Sequence, residues 1–149
     1  MGSDAFDALL LALKQDEGTG AFKGGKFFPY TCPAGKLTIG YGHNLENNGI
    51  TPAQAQQLLV DDAIQAMRDA SDLVPNWLKL SYVRQNVMTN MSYNMGKTTF
   101  STFKKFLKAV NDGDYNTAAK EMQNSLWYSQ VGPRGERLRQ EMLTGTALL

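Results

Sequence analysis

The chain of 149 residues contains one cysteine and one histidine, and most zinc chemistry is excluded with them. A catalytic zinc draws on several His or Cys ligands, whereas Cys32 and His43 stand eleven residues apart with no others to join them. Neither a metal nor a cofactor is expected. A lone cysteine also rules out an internal disulfide framework and fits a chain folded in a reducing compartment. Strong charge of one sign is missing: 15 Lys and Arg against 14 Asp and Glu leave +1, so nucleic acid is not an expected partner. Long apolar runs are missing as well. The early run Leu9 to Leu13, between Asp7 and Lys14, reads as neither a membrane span nor a secretory signal, and no stable membrane association is expected. Gly40-Tyr41-Gly42-His43 is glycine-rich but lacks the lysine and strand-to-helix setting of a phosphate loop. What is present, 42% hydrophobic and 19% charged residues, suits one globular domain with its own core.

The periodicity of the chain changes along its length. Phe6, Leu9, Leu10 and Leu13 recur at helical spacing, predicting a helix over 4–17 with Glu17 at its end on the same apolar stripe. Glycines 18 and 20 stop it. From Phe27 to Tyr41 the period falls to two, and Leu37, Ile39 and Tyr41 alternate with Thr38 and Gly40 as in a strand. Cys32-Pro33-Ala34-Gly35 has the chemistry of a type I turn, predicting one small hairpin with Cys32 at the turn and Thr38 on the returning strand. Thr51 and Gln54 form a capping box with Pro52 in the first turn, and helical spacing then runs to about Ala70. Helices are predicted over Trp77–Tyr93, Phe100–Val110, Asp114–Leu126 and Pro133–Met142. The fold class is therefore α+β, helix-dominant. A single domain is expected, with an N-terminal helix 4–17, a β-lobe over about 18–50, a linking helix over about 51–70 and a helical lobe over about 75–149.

Two chemistries compete for the stretch Asp16 to His43. A thiol beside an imidazole is the minimum for acyl transfer, but Cys32 has no helix N-terminus behind it, and a packed thiol with a structural histidine is the plainer reading. Glu17 sits at a helix C-terminus on an apolar stripe, where burial and the dipole both favour the neutral carboxyl of a general acid. The plain alternative is a glutamate that closes or salt-bridges the helix end.

Glu17-Gly18, Cys32 followed after five residues by Thr38, and TIGYGH from Thr38 to His43 together resemble the active-site region of the phage-type lysozymes, glycoside hydrolase family 24. Asn90-Met91-Ser92-Tyr93-Asn94-Met95-Gly96, Trp127-Tyr128, Pro133-Arg134 with Arg137, and Thr144-Gly145-Thr146 follow that family's order, so the resemblance covers nearly the whole chain. One departure is clear: fourteen residues separate Glu17 from Cys32, more than is usual in the family, and the extra residues fall in Gly18 to Phe28.

The resemblance implies a lysozyme-like fold, a small β-hairpin lobe joined by a long helix to a helical bundle. It implies hydrolysis of the β-1,4 bond between N-acetylmuramic acid and N-acetylglucosamine in peptidoglycan. Glu17 would be the general acid, Cys32 and Thr38 would stand on the opposite side of the cleft, and Arg134 would support Glu17. His43, Tyr93 and Asn94 are candidate substrate contacts; the plain readings are a hydrogen bond within the β-lobe for His43 and a core position for Tyr93. Lys23 and Lys26 read as solvated loop charges, with contact to anionic wall peptides or a partner as the alternative. A lytic transglycosylase and a non-catalytic peptidoglycan-binding module are the competing functions. An endolysin would be monomeric and wait in the host cytoplasm for a separate membrane pore; a tail-associated or toxin origin is the alternative.

Overall fold

Helix α1, Ser3–Glu17, forms where the spacing predicts and ends at Gly18, whose N–H bonds to the Lys14 carbonyl at 3.0 Å. The computed structural model describes residues 2–149 and resolves into two compact units, Met1–Ala55 and Gln56–Leu149. The predicted burial of the α1 stripe is not found: Phe6, Leu9, Leu10 and Leu13 are 41–50% exposed, and Glu17 is exposed with them. The reason is local. Within the first unit, among the described residues, the one buried side chain is Thr38, so this unit offers no apolar core for a helix stripe to cover.

The β region holds two sheets where one hairpin is predicted. Strands β1 (Ala21–Lys23) and β2 (Lys26–Phe28) pair antiparallel around Gly24-Gly25, both with positive φ, as a two-residue primed turn requires. The predicted hairpin follows as β3 (Tyr30–Thr31) and β4 (Leu37–Ile39), with Tyr30 opposite Thr38. A third short strand, β5 (His43–Asn44), pairs with β4 on its other side. Asn44 then caps the short helix α2, Leu45–Asn48, accepting from the Asn47 N–H.

Helix α3, Pro52–Asp72, begins with the predicted capping box closed in both directions: Thr51 N–H to Gln54 Oε1 at 2.8 Å, and Gln54 N–H to Thr51 Oγ1 at 3.2 Å. The second unit continues with a 3-10 turn at Trp77–Lys79 and helices α4 (Tyr82–Met95), α5 (Lys97–Phe100), α6 (Lys104–Asn111), α7 (Tyr115–Gln123), α8 (Leu126–Val131) and α9 (Pro133–Thr144). Three predicted helices are thus each interrupted once. Ser81 and Ser125 supply side-chain caps that restart the helix at α4 and α8, and Ser101, Thr102 and Phe103 separate α5 from α6. The core lies here, built from Ala70, Val74, Val87, Met88, Met91, Phe100, Phe106, Met122, Leu138 and Met142. Its methionines suit the irregular gaps that short helices leave. Helix α7 packs against both α6 and α9.

Candidate active site

In the first unit, the end of α1 meets the TIGYGH segment. The Glu17 carboxyl lies against the backbone of Gly42: a β-carbon built there would fall 2.8 Å from Oε2 and 3.0 Å from Cδ. Gly42 also has φ +79°, so conformation favours glycine there, and a side chain at this position would in addition push the Glu17 carboxyl aside. Next to it, Lys14 Nζ stands 5.5 Å from the centre of the Tyr41 ring, a second tie between α1 and this loop. No hydrogen bond or ion pair engages the Glu17 carboxyl among the described residues, which leaves both oxygens available to a ligand.

Cys32 opens the predicted turn. Gly35 N–H donates to the Cys32 carbonyl at 2.8 Å, and Cys32 N–H donates to the Lys36 carbonyl at 2.9 Å. The turn also directs backbone N–H groups at the sulfur. The Lys36 amide is the largest influence holding the thiol below its ordinary pKa; partial burial opposes it, and the Thr38 hydroxyl and further turn amides assist. Among the described residues no helix N-terminus stands behind Cys32; a tight turn supplies donors of the kind that such a terminus would offer.

Thr38, 2% exposed on β4, is the buried neighbour. Its hydroxyl donates to the Lys36 carbonyl at 2.8 Å. The hydroxyl has one proton, so it serves either that carbonyl or the Cys32 sulfur, and ionisation of the thiol draws it to the sulfur. A hydroxyl as the most buried side chain of a small lobe, facing a thiol, is a chemical arrangement more than a packing one. His43, on β5, gives its Nε2 to the Gly49 carbonyl at 2.6 Å, tying the strand to the segment before α3. A carbonyl only accepts, so Nε2 carries the proton there.

In the second unit, α3, α4 and α9 build a groove of about 460 Å³ lined by Leu59, Ala63, Asn86, Thr89, Asn90, Tyr93 and Arg134. Asn86 and Asn90 lie one turn apart on α4, with Tyr93 next on the same face. Arg134, near the start of α9, is held by Asn90: Nε and Nη2 both donate to the side-chain oxygen, at 2.8 and 2.6 Å. Among the described residues Arg134 has no acidic partner, so its charge is fixed in direction and unspent. Tyr93 is 44% exposed, so it belongs to the groove and not to the core. Asn94 turns elsewhere, accepting the Trp127 indole N–H at 2.9 Å, with its amide N–H groups still available. A second groove of about 590 Å³, between Phe103, Lys105, Glu121 and Gln130, takes in none of the residues expected in the site. Among the described residues, no group of three or more His, Cys, Asp or Glu side chains is placed to hold a metal.

Two residues present above only as parts of motifs gain a specific role from the geometry. Asn90 orients Arg134, and its signal was the four-residue spacing to Asn86 and Asn94 on one helix face. Gly42 seats Glu17, and nothing short of the three-dimensional contact reveals it.

The phage lysozyme family model matches residues 20–141. Cys32, Thr38, His43, Tyr93, Asn94 and Arg134 fall inside the matched span, and Glu17 precedes it by three residues. The chain is 28% identical to a probable T4-type lysozyme of Dictyostelium discoideum over 90% of its own length and 92% of that protein. It is 31% identical to an endolysin of Acyrthosiphon pisum secondary endosymbiont phage 1, over 78% of this chain and 77% of the relative. It is 33% identical over 64% of its length to a pre-baseplate central spike protein of Enterobacteria phage T4, of which it covers 17%. With the match running from the first strand to the last helix, over an α+β framework dominated by helix, the chain belongs to the phage lysozyme family.

Proposed function

We propose that this lysozyme cleaves the β-1,4 bond between N-acetylmuramic acid and N-acetylglucosamine in bacterial peptidoglycan, with Glu17 as the general acid. The observation that carries this reading is the unpartnered Glu17 carboxyl seated on Gly42 of TIGYGH, in the same unit as the Cys32–Thr38 pair. Glu17 gives its proton to the glycosidic oxygen as the bond to the anomeric carbon breaks. Cys32 takes the place of the second anionic group that glycosidases set against the acid. The turn amides that hold its pKa below the ordinary value favour the thiolate, and a lowered pKa blunts its nucleophilicity. It therefore acts through water: the thiolate takes a proton from a water that Thr38 helps to place, and that water adds to the anomeric carbon with inversion. Arg134, Tyr93 and Asn94 of the second unit are assigned to the sugar chain, and His43, bonded to the Gly49 carbonyl, holds the strand that follows TIGYG in the first unit.

The 149 residues serve as one catalytic domain, acting as a monomer. As an endolysin it reaches the wall through a pore made by another protein. No helix of the described residues is long and apolar enough to cross a membrane, which is in keeping with that route.

The test is lysis of purified peptidoglycan with mass spectrometry of the fragments. Glu17→Gln is expected to abolish turnover, while Cys32→Ala and Thr38→Ala lower it by smaller factors. Near-normal lysis by Glu17→Gln sinks the assignment of the acid. Anhydro-ended fragments in place of reducing ends would make the enzyme a lytic transglycosylase.

A further inference from the structure

The hairpin β1–β2 lies in the stretch by which this chain exceeds its family pattern, and the reaction described above leaves it unused. Lys23 and Lys26 are direct cross-strand partners, so both ammonium groups leave the same face of the ribbon. Like charges placed opposite each other disfavour a hairpin on their own. Among the described residues no acid pairs with either lysine: from Gly18 to Leu45 the sequence has three lysines and neither Asp nor Glu, and the third, Lys36, is paired with Glu46 at 3.2 Å. The turn between the two lysines stands in open space, since a β-carbon added at Gly24 or Gly25 would meet nothing within 4 Å.

Aromatic rings flank this charge. Phe28 shares the lysine face, 39% exposed, with Lys23 Nζ 5.3 Å from its ring centre. Phe22, 47% exposed, is on the other face, where its ring meets Phe27 at 4.9 Å and Phe27 meets Tyr41 at 5.0 Å. These ring contacts tie the base of the two-stranded ribbon to Tyr41. Cations at the tip with exposed rings just behind them are the arrangement that sits at a lipid–water interface, the ammonium groups at the phosphates and the rings at the upper acyl region. A soluble anionic peptide would satisfy the lysines but leave the rings on both faces in water.

We propose that the β1–β2 hairpin is a peripheral docking tip for anionic phospholipid surfaces. Two lysines and two rings give reversible, salt-sensitive contact and not an anchor, which keeps the enzyme free to reach the wall.

The experiment is cosedimentation of the full chain with vesicles of phosphatidylcholine alone and of phosphatidylcholine with phosphatidylglycerol, at low and at physiological salt. Neither vesicle contains glycan, so the outcome is independent of whether the catalytic reading holds. Binding to the phosphatidylglycerol vesicles is expected, weakened by salt. The double variant Lys23→Ser/Lys26→Ser should lose about thirty-fold in partitioning, the factor that two lysines at an anionic surface supply. Lys23→Arg/Lys26→Arg should retain it, and both variants should degrade lipid-free peptidoglycan at the rate of the parent. Equal binding to the two vesicle types, or unchanged binding by the serine variant, overturns the proposal. So does a slower attack by the serine variant on lipid-free peptidoglycan, which would assign the lysines to wall peptides instead.

Discussion

Glu17 Oε2 lies 2.8 Å from where a β-carbon of Gly42 would be, so one residue's lack of a side chain leaves room for another's carboxyl. Gly40, two residues earlier, shares the positive φ (+66°) but has nothing within 4 Å of its would-be β-carbon. The pair separates backbone strain from displacement of the acid. Both Gly40→Ala and Gly42→Ala are expected to cost about 1–2 kcal/mol of stability for an alanine in the left-handed region. Only Gly42→Ala should also lower kcat, by about a hundredfold, as expected when a catalytic group is moved by about an ångström. Melting curves with turbidity rates on purified walls read the two effects apart. Equal losses of activity in both variants would show that Glu17 needs no seat on Gly42.

Cys32 should ionise below the ordinary thiol value of 9.0, because the Lys36 amide and its neighbours in the turn favour the thiolate. The pH dependence of its alkylation by iodoacetamide measures this directly, with one cysteine in the chain and so one signal. The expected midpoint lies under 9.0, and Thr38→Val should move it upward by removing the hydroxyl that turns to the sulfur. A midpoint at or above 9.0 in the parent chain would mean that the turn does not act on the sulfur, and would remove Cys32 as the anionic partner of Glu17.

Glu136 joins α8 to α9 through its carboxyl, which accepts from Arg139 at 2.7 and 2.8 Å, from Gln140 at 3.0 Å and from the Tyr128 hydroxyl. Arg139 first, then Tyr128 and Gln140, hold it far below the carboxylate range, and the same contact raises the pKa of Tyr128. In the unfolded chain the group titrates near 4.5. Below that pH the unfolded state binds a proton that the folded state refuses, so Glu136 contributes stability above about 4.5 that is lost as the solution is acidified. The site is partly solvated, so the contribution is modest. Urea denaturation at pH 7, 4.5 and 3 should show Glu136→Gln less stable than the parent at pH 7, with the gap closing toward pH 3. A gap that widens on acidification would reverse the sign of this coupling.

Much of the framework was legible because each signal was local. Thr51 and Gln54 are three residues apart and close a capping box on each other; Cys32 and Gly35 close a turn of four. What stayed hidden depended on contacts between distant residues. The α1 stripe is apolar by periodicity yet exposed, because periodicity reports a preference for one face and not the presence of anything to pack on it. The β1–β2 hairpin escaped because it is only three residues per strand, although Gly24-Gly25 between two Lys–Phe runs was its signature. Among the candidate residues, Glu17, Cys32, Thr38 and Arg134 stand out by motif, whereas the turn around Cys32, the seat on Gly42 and the hold of Asn90 on Arg134 each follow only from geometry within one unit.

Arg84 closes the helical unit by gripping the end of α9. Nε donates to the Met142 carbonyl at 2.8 Å and Nη2 to the Leu143 carbonyl at 3.1 Å, while the guanidinium carbon stands 3.5 Å from the centre of the Tyr115 ring. The last carbonyls of a helix have no partners within it and carry its negative end, so a planar cation there satisfies hydrogen bonds and charge together. Gly145 makes the approach possible: a β-carbon at this position, with φ +72°, would fall 3.0 Å from Nη1. Arg84→Met removes both bonds and the stacked cation and is expected to cost about 2–3 kcal/mol, a fall of about 5–10 °C in Tm. Arg84→Lys keeps the charge but loses the fork and the flat contact with Tyr115, so it should recover less than half of that loss. Hydrogen exchange distinguishes the clamp from general core damage, since the loss of protection should concentrate in the last turn of α9. Uniform loss of protection across the helical unit, or full rescue by lysine, would show that Arg84 acts by charge or bulk and not by holding these two carbonyls.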